Sequence, residues 1–468
     1  MARTARTRAV LVTVIAVIAL VVAAVAGLAV WKFTRSDGAQ RSESTVGTPP
    51  ELLVGIPTST PQPSWVITLA DLLSEPNLKQ GLIPGSVGDR AFALVYPATV
   101  DPTKPAPARS WVYSYDARTG DVLFSPVELT GSVGGCYING PDMLTCLGRQ
   151  DPGVADSQPW AWVIDSHTGK LTYTGPTDIG PNADGNYVYK VGGYPVAAIF
   201  GSGWYGIGDK GQKSWFVPGT GLASDDSMWS PDVPAQRLVV GQGMNDGPYF
   251  LYRPSDGAVI ADNLKARPWL YSGGYAIPSR TADDPDGTLT FYDESGKELS
   301  HSTLRRTLAA QPMTMHGEML VVDIRDPKAP DEARWVVFDA AGKQITNVPS
   351  QGDPGKARVV IIGDKMYVSD TVGVENTEKE NPWKQIDLTT GSILRTCADL
   401  NLRGYIASDG KTILSAASDD SGRVTVNATN ASDCSNLWTL GDGVAISKVN
   451  TSLVEVTDTQ INGVARAE

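Results

Sequence analysis

The chain has 468 residues, 41% of them apolar and 19% charged, a balance outside the disordered and fibrous classes. Its 39 Lys/Arg stand against 51 Asp/Glu, a formal charge of −12 that argues against a nucleic-acid ligand, which needs a basic face. Three histidines leave little room for a histidine-built metal centre, and 48 glycines with 32 prolines, mostly between short apolar runs, punctuate an all-β chain.

The chain opens with Arg3, Arg6 and Arg8 ahead of an uncharged apolar run from Ala9 to Trp31. At about 1.5 Å per residue such a run crosses about 30 Å of hydrocarbon, and the positive-inside rule sets the N-terminus in the cytoplasm. The expectation is a cytoplasmic segment 1–8, a single-pass transmembrane helix 9–31 in the cell membrane, and everything after it outside. A cleaved signal peptide is the competing reading, since Ala23, Ala24, Ala26 and Gly27 are small, but the apolar sequence continues past them to Trp31. Residues 32–63 are rich in Pro, Ser and Thr and read as an extracytoplasmic tether. The globular part is then 64–468. Residues 1–41 hold six Lys/Arg and one acid, so the remainder is strongly acidic.

The four cysteines, Cys136, Cys146, Cys397 and Cys434, all lie beyond the apolar run, and none is spaced for a redox or zinc site. Four cysteines allow three pairings. Cys136 and Cys146 flank a turn through Asn139, Gly140 and Pro141, so they can face each other across a hairpin, and Cys397 then pairs with Cys434.

A repeat organises the rest. The string Trp111 to Phe124 carries Asp116 and Gly120, and the string Trp160 to Tyr173 carries Asp165 and Gly169. Further copies carry Asp293 and Gly296, Asp339 and Gly342, and Asp387 and Gly391, with weaker ones ending at Gly211 and Gly257 and a degraded unit over 424–438. In each, a β-branched and aromatic run makes a strand, Asp bonds to backbone N–H groups ahead of it, and Gly supplies a left-handed turn position. With two further strands ahead of most copies, each unit of about 45 residues is a four-stranded propeller blade. The count is eight blades, or seven if closure combines strands from both ends.

The pattern aromatic-x-aliphatic-Asp-x-x-Thr-Gly-x-aliphatic resembles the PQQ-like repeat of quinoprotein-type β-propellers. That resemblance implies an all-β propeller, and, in the enzymes of that family, a quinone cofactor with calcium in the ring. The adjacent cysteines that stack on that cofactor are absent, no calcium set can be matched, and the strong tryptophan ending each repeat is replaced by Phe124, Tyr173, Leu299 and Ile345. No cofactor, metal or catalytic residue is therefore expected, and the repeated aspartates read as turn caps. His167 falls in a turn copy. Trp111, Trp160, Trp162, Trp335 and Trp383 recur at one repeat position and read as inter-blade packing, whereas Trp204, Tyr205, Trp215 and Trp229 fall in the irregular third and are the candidate partner-binding aromatics. The expected function is a membrane-anchored, extracytoplasmic, non-enzymatic protein-binding scaffold of the bacterial cell envelope, with envelope or membrane proteins as partners. The alternative is a membrane-tethered enzyme, either a degenerate PQQ-type oxidoreductase or a carbohydrate-active propeller.

Overall fold

The computed structural model describes residues 55–465 apart from 84, 99–108, 152–156, 181–185, 222–236, 282–283, 304–308, 315–318, 327–328, 351–357, 370–381, 419–423 and 442–443. Segments 1–8 and 9–31 lie outside these residues. Among the described residues no helix is long and apolar enough to cross a membrane, and the one helical turn is Leu69–Leu72.

Each repeat copy folds as its residues dictate. In Arg109–Asp116 consecutive side chains point alternately into the two neighbouring sheets, and Ser110 to Tyr115 are all buried, so strands at the heart of a blade read as near-continuous apolar runs. Asp116 then ends the strand, and the chain returns antiparallel as Val122–Thr130.

Nine antiparallel sheets follow one another, with strands lettered A to D in chain order within each blade. Blade 1 is Leu78–Leu82, Arg90–Pro97, Arg109–Asp116 and Val122–Thr130. Blade 2 is Ser132–Ile138, Met143–Arg149, Pro159–Asp165 and Leu171–Pro176. Blade 3 is Asn186–Val191, Tyr194–Ile199, Gly203–Ile207 and Lys213–Pro218. Blade 4 shows three described strands, Val239–Gln242, Tyr249–Tyr252 and Val259–Leu264, equivalent to B, C and D. Blades 5, 6, 7 and 8 begin at Trp269, Ala309, Arg358 and Tyr405 and have four strands each. Blade 9 takes Ala445–Val449, Ser452–Val456 and Gln460–Val464 from the C-terminal end, and its D strand is Pro63–Thr68 from the N-terminal end.

The apolar core is divided accordingly. Nine buried clusters each draw on two neighbouring sheets, and the last joins blade 9 to blade 1 through Val449, Val454 and Ile461 against Ala91, Val95, Tyr113 and Tyr115. One small sheet cannot bury both its faces alone, so a closed ring of seams is the stable arrangement.

The expected eight blades are therefore nine. The repeat undercounts for a physical reason: the ninth blade has no C–D turn, because its C and D strands come from opposite ends of the chain. The tether also ends earlier than expected. Ile56 is buried among Ala407, Leu414, Trp438 and Leu453 at the seam of blades 8 and 9. Its N–H donates to Asp409 Oδ2 (2.7 Å), and Trp438 Nε1 donates to the Pro57 carbonyl (2.8 Å), so the chain is fixed to the ring from about residue 55.

Both disulfides form. Cys136 and Cys146 are directly paired across strands A and B of blade 2, with Cα atoms 4.0 Å apart. Cys397, at the end of strand D of blade 7, is bonded to Cys434 in the C–D turn of blade 8. The second bridge is thus an inter-blade staple.

Candidate functional site

The repeated carboxylates are engaged by their own turns. Asp165 Oδ1 accepts from the N–H groups of His167 (3.0 Å) and Thr168 (2.8 Å) and from the Thr168 hydroxyl. Asp116 does the same with Arg118 and Thr119, Asp387 with Thr389 and Thr390, Asp293 with Ser295 and Lys297, and Asp339 with Ala341 and Lys343. In three of the turns the bonds favour the charged form: the Thr168 N–H holds Asp165 below the usual carboxylate range, the Ser295 hydroxyl does so for Asp293, and the Thr390 N–H for Asp387. All five carboxylates are turn caps.

The turn glycines have a second role. Gly169 (φ +72°) lies against Phe124 of the preceding blade, where a Cβ would come within 2.6 Å of the ring. Trp65 covers Gly120 and Trp215 covers Gly257 in the same manner, while Gly342 meets Ser300 and Phe291 and Gly391 meets Thr346. Gly296, with nothing nearer than 3.5 Å, sits more loosely. In blade 8 the glycine place is taken by Cys434 (φ +63°), whose N–H donates to the Asn430 carbonyl just as Gly391 donates to Asp387. There the aromatic-on-glycine contact is replaced by the bond to Cys397.

Hairpin ends alternate in an antiparallel blade, so the A–B and C–D links lie at one end of the ring and the B–C and D–A links at the other. Backbone bonds tie the two kinds of turn together at the first end: Ala117 N–H to the Asp89 carbonyl, Ser166 to Asp142 and Leu388 to Asp364, at 2.8, 2.9 and 3.0 Å. His167 joins this face, bonded through Nε2 to Asp142 (3.0 Å) and through Nδ1 to Arg90 (2.7 Å). The chain also enters and leaves here, with Pro63 opposite Val464.

The candidate aromatics divide between packing and surface. Trp204 is buried at the seam of blades 3 and 4, edge-on to Phe250 (5.7 Å) and tilted on Tyr252 (5.7 Å). Trp215 packs on Tyr252 at the same seam, and Trp229 lies outside the described residues. Tyr205 is half-buried, stacked on the exposed Phe216 at 4.5 Å with Lys213 Nζ over its ring. One edge of Trp215 does reach a cleft of about 290 Å³ on the turn face, shared with Pro141, Asp142, Tyr194 and Pro254.

Sequence reasoning missed the most exposed aromatic among the described residues. Phe200, 71% exposed, occupies the three-residue B–C link of blade 3. That link is laced to blade 4: Gly201 N–H donates to the Thr220 carbonyl (2.8 Å), and Thr220 N–H donates to the Gln242 carbonyl (2.9 Å). The next link carries exposed Met244, followed by Asn245 and Asp246, both at φ +55°, a left-handed conformation uncommon outside glycine. A large apolar residue inside a Phe-Gly-Ser-Gly turn was the available signal.

Among the described residues no group of three or more His, Cys, Asp or Glu side chains could hold a metal ion. Asp323 is a buried carboxylate, but Arg325, two residues on in the same strand, pairs with it at 2.9 Å and also donates to Ser350, which makes it a structural ion pair.

Comparison with known proteins bears on the ring as a whole. A protein of Mycolicibacterium smegmatis (strain MKD8), described as uncharacterized, is 27% identical over 437 residues, covering 88% of this chain and 85% of its own. Among solved structures, BamB from Moraxella catarrhalis aligns over 86% of this chain and 99% of its own, with 13% identity and a TM-score of 0.36. Apo AztD from Citrobacter koseri aligns over 84% and 99%, with 11% identity and a TM-score of 0.35. Residues 38–464 match the model of the conjugation-associated nine-bladed β-propeller domain, whose blade number is the one counted above. The chain belongs to that conjugation-associated nine-bladed β-propeller family.

Proposed function

We propose that this propeller is a non-enzymatic protein-docking component of the bacterial cell envelope that serves conjugative transfer. The observation that carries the reading is the family match spanning the entire ring. Membership supplies the association with conjugation, and the engagement of the repeated Asp and Gly residues by their own turns and seams supports a scaffold role. An extracytoplasmic address, with the 9–31 run holding the chain at the membrane, is supported by that run and by two disulfides, which persist in oxidising compartments. A rigid ring whose links present Phe200 and Met244 suits a protein partner, because exposed apolar side chains on fixed loops are the usual anchors of such interfaces.

The test is the frequency of conjugative transfer in a bacterium lacking this chain. A drop of at least tenfold is expected, restored by the wild-type chain and not by one carrying Phe200→Asp, with growth unchanged. Unchanged transfer in the deletion strain would refute the association. Purification of the native protein with a bound redox cofactor and dye-reducing activity would refute the non-enzymatic role.

A further inference from the structure

Lys190 lies near the end of strand A of blade 3, at the turn face, paired with Pro195 of strand B. Its side chain leaves its own blade. The Nζ would be 2.7 Å from a Cβ built on Gly85, in the A–B link of blade 1, and Ile138 Cδ1 of blade 2 would be 3.1 Å from that same point. One lysine therefore reaches over the inner ends of three consecutive blades. Gly85 (φ +96°) has no Cβ, and the amine lies where one would be.

Among the described residues the ammonium has no hydrogen-bond or ion-pair partner. The acids of the neighbouring links are turned to other groups: Asp89 accepts from Asn450 Nδ2 (2.6 Å) and Asp142 from His167 (3.0 Å). Other lysines of the ring are paired at exposed places, Lys79 with Asp458 and Lys365 with Asp364, both at 2.7 Å. Crowding by neighbouring atoms lowers the Lys190 pKa to about 8. A desolvated cation without a partner is costly, and a strongly acidic protein has many carboxylates that could have neutralised it. Gly85, beside the amine, has no side chain to cover the charge.

We infer that Lys190 is the anchoring charge of a site for an oxyanion group, a carboxylate or a phosphate, at the inner end of blades 1 to 3 on the turn face. The inference does not depend on the role in conjugation. Inorganic phosphate is the probe. Purified full-length protein is pulsed with acetic anhydride between pH 7 and 9, with phosphate or with chloride at matched ionic strength, and each lysine is followed by mass spectrometry. Lys190 should acetylate ahead of Lys79 and Lys365, and phosphate should slow it at least threefold while leaving those two unchanged. In parallel, phosphate should raise the thermal midpoint of the wild type and of Lys190→Arg but not of Lys190→Met. Acetylation of Lys190 that is indifferent to phosphate, or an equal thermal shift in Lys190→Met, would overturn the site.

Discussion

Trp65 lies against Gly120 so closely that a Cβ on the glycine would fall 2.6 Å from Trp65 Cδ2. The tryptophan belongs to the strand that closes blade 9, and the glycine to the C–D turn of blade 1, so this contact locks the ring at the joint between the two ends of the chain. Gly120→Ala faces two costs, a left-handed φ of +78° and a collision with the indole. Gly88→Ala faces one, since φ is +59° but nothing lies within 4 Å of its Cβ. Left-handed strain alone costs about 1 kcal/mol, so Gly88→Ala should lose about that much and Gly120→Ala clearly more, about 2–4 kcal/mol. Urea unfolding of the two variants decides this, and equal losses would show that the indole yields freely.

A second consequence concerns Ile56. It is buried in the seam of blades 8 and 9, and its N–H is held by Asp409. Ile56→Ala should cost about 2–5 kcal/mol, the range for a large aliphatic truncated in a core. A chain beginning at Gly55 should unfold cooperatively. One beginning at Leu69 lacks the D strand of blade 9 and leaves strand C as a bare edge, so it should aggregate or lose its sharp transition. Matching denaturation curves for those two chains would mean that the closing strand is dispensable.

What could be read from the residues follows how local the physics is. Asp165 bonds to groups two and three residues ahead, and Gly169 needs its φ for the turn itself, so five turns, their spacing and the four-stranded unit were legible without neighbours. The ninth blade was not, because Pro63–Thr68 carries no turn motif and finds its partner about 400 residues away. Neither the burial of Trp204 nor the exposure of Phe200 was legible, for the same reason. Burial of the first is decided by Phe250 and Tyr252 across a seam, and exposure of the second by a loop laced to Thr220. Lys190 was invisible, since nothing beside it in sequence tells that its amine ends at Gly85.

The two disulfides should differ in worth. Closing a loop removes entropy from the unfolded chain, which gives about 3 kcal/mol for a separation of 10 residues and about 4 kcal/mol for one of 37. The Cys397–Cys434 bridge also replaces the aromatic-on-glycine contact between blades 7 and 8. Cys397→Ser with Cys434→Ser should therefore destabilise more than the equivalent change at Cys136 and Cys146. Because residue 434 holds a φ of +63°, Cys397→Ser with Cys434→Gly should recover about 0.5–1 kcal/mol of that loss. Thermal unfolding of the three double variants checks the order, and failure of the glycine to help would mean that the turn rearranges once the bond is gone.

Lys190 also makes stability depend on pH in a stated direction. Crowding lowers its pKa from 10.5 in the unfolded chain to about 8 in the ring, and among the described residues no carboxylate pairs with it to offset this. Below about pH 8 both states carry the proton, and the folded state bears the full penalty of a desolvated charge. Between about 8 and 10.5 the unfolded chain binds more protons than the native one, so the penalty fades and this residue's contribution rises with pH. Lys190→Met removes it at every pH. The variant should thus be more stable than wild type at pH 7, by about 1–3 kcal/mol after allowance for the residue's remaining contact with water, and the gap should close by about pH 10.5. Urea titrations of both proteins at pH 7 and pH 10 measure it, and a constant difference across that window would mean that the amine keeps an ordinary pKa in the folded ring.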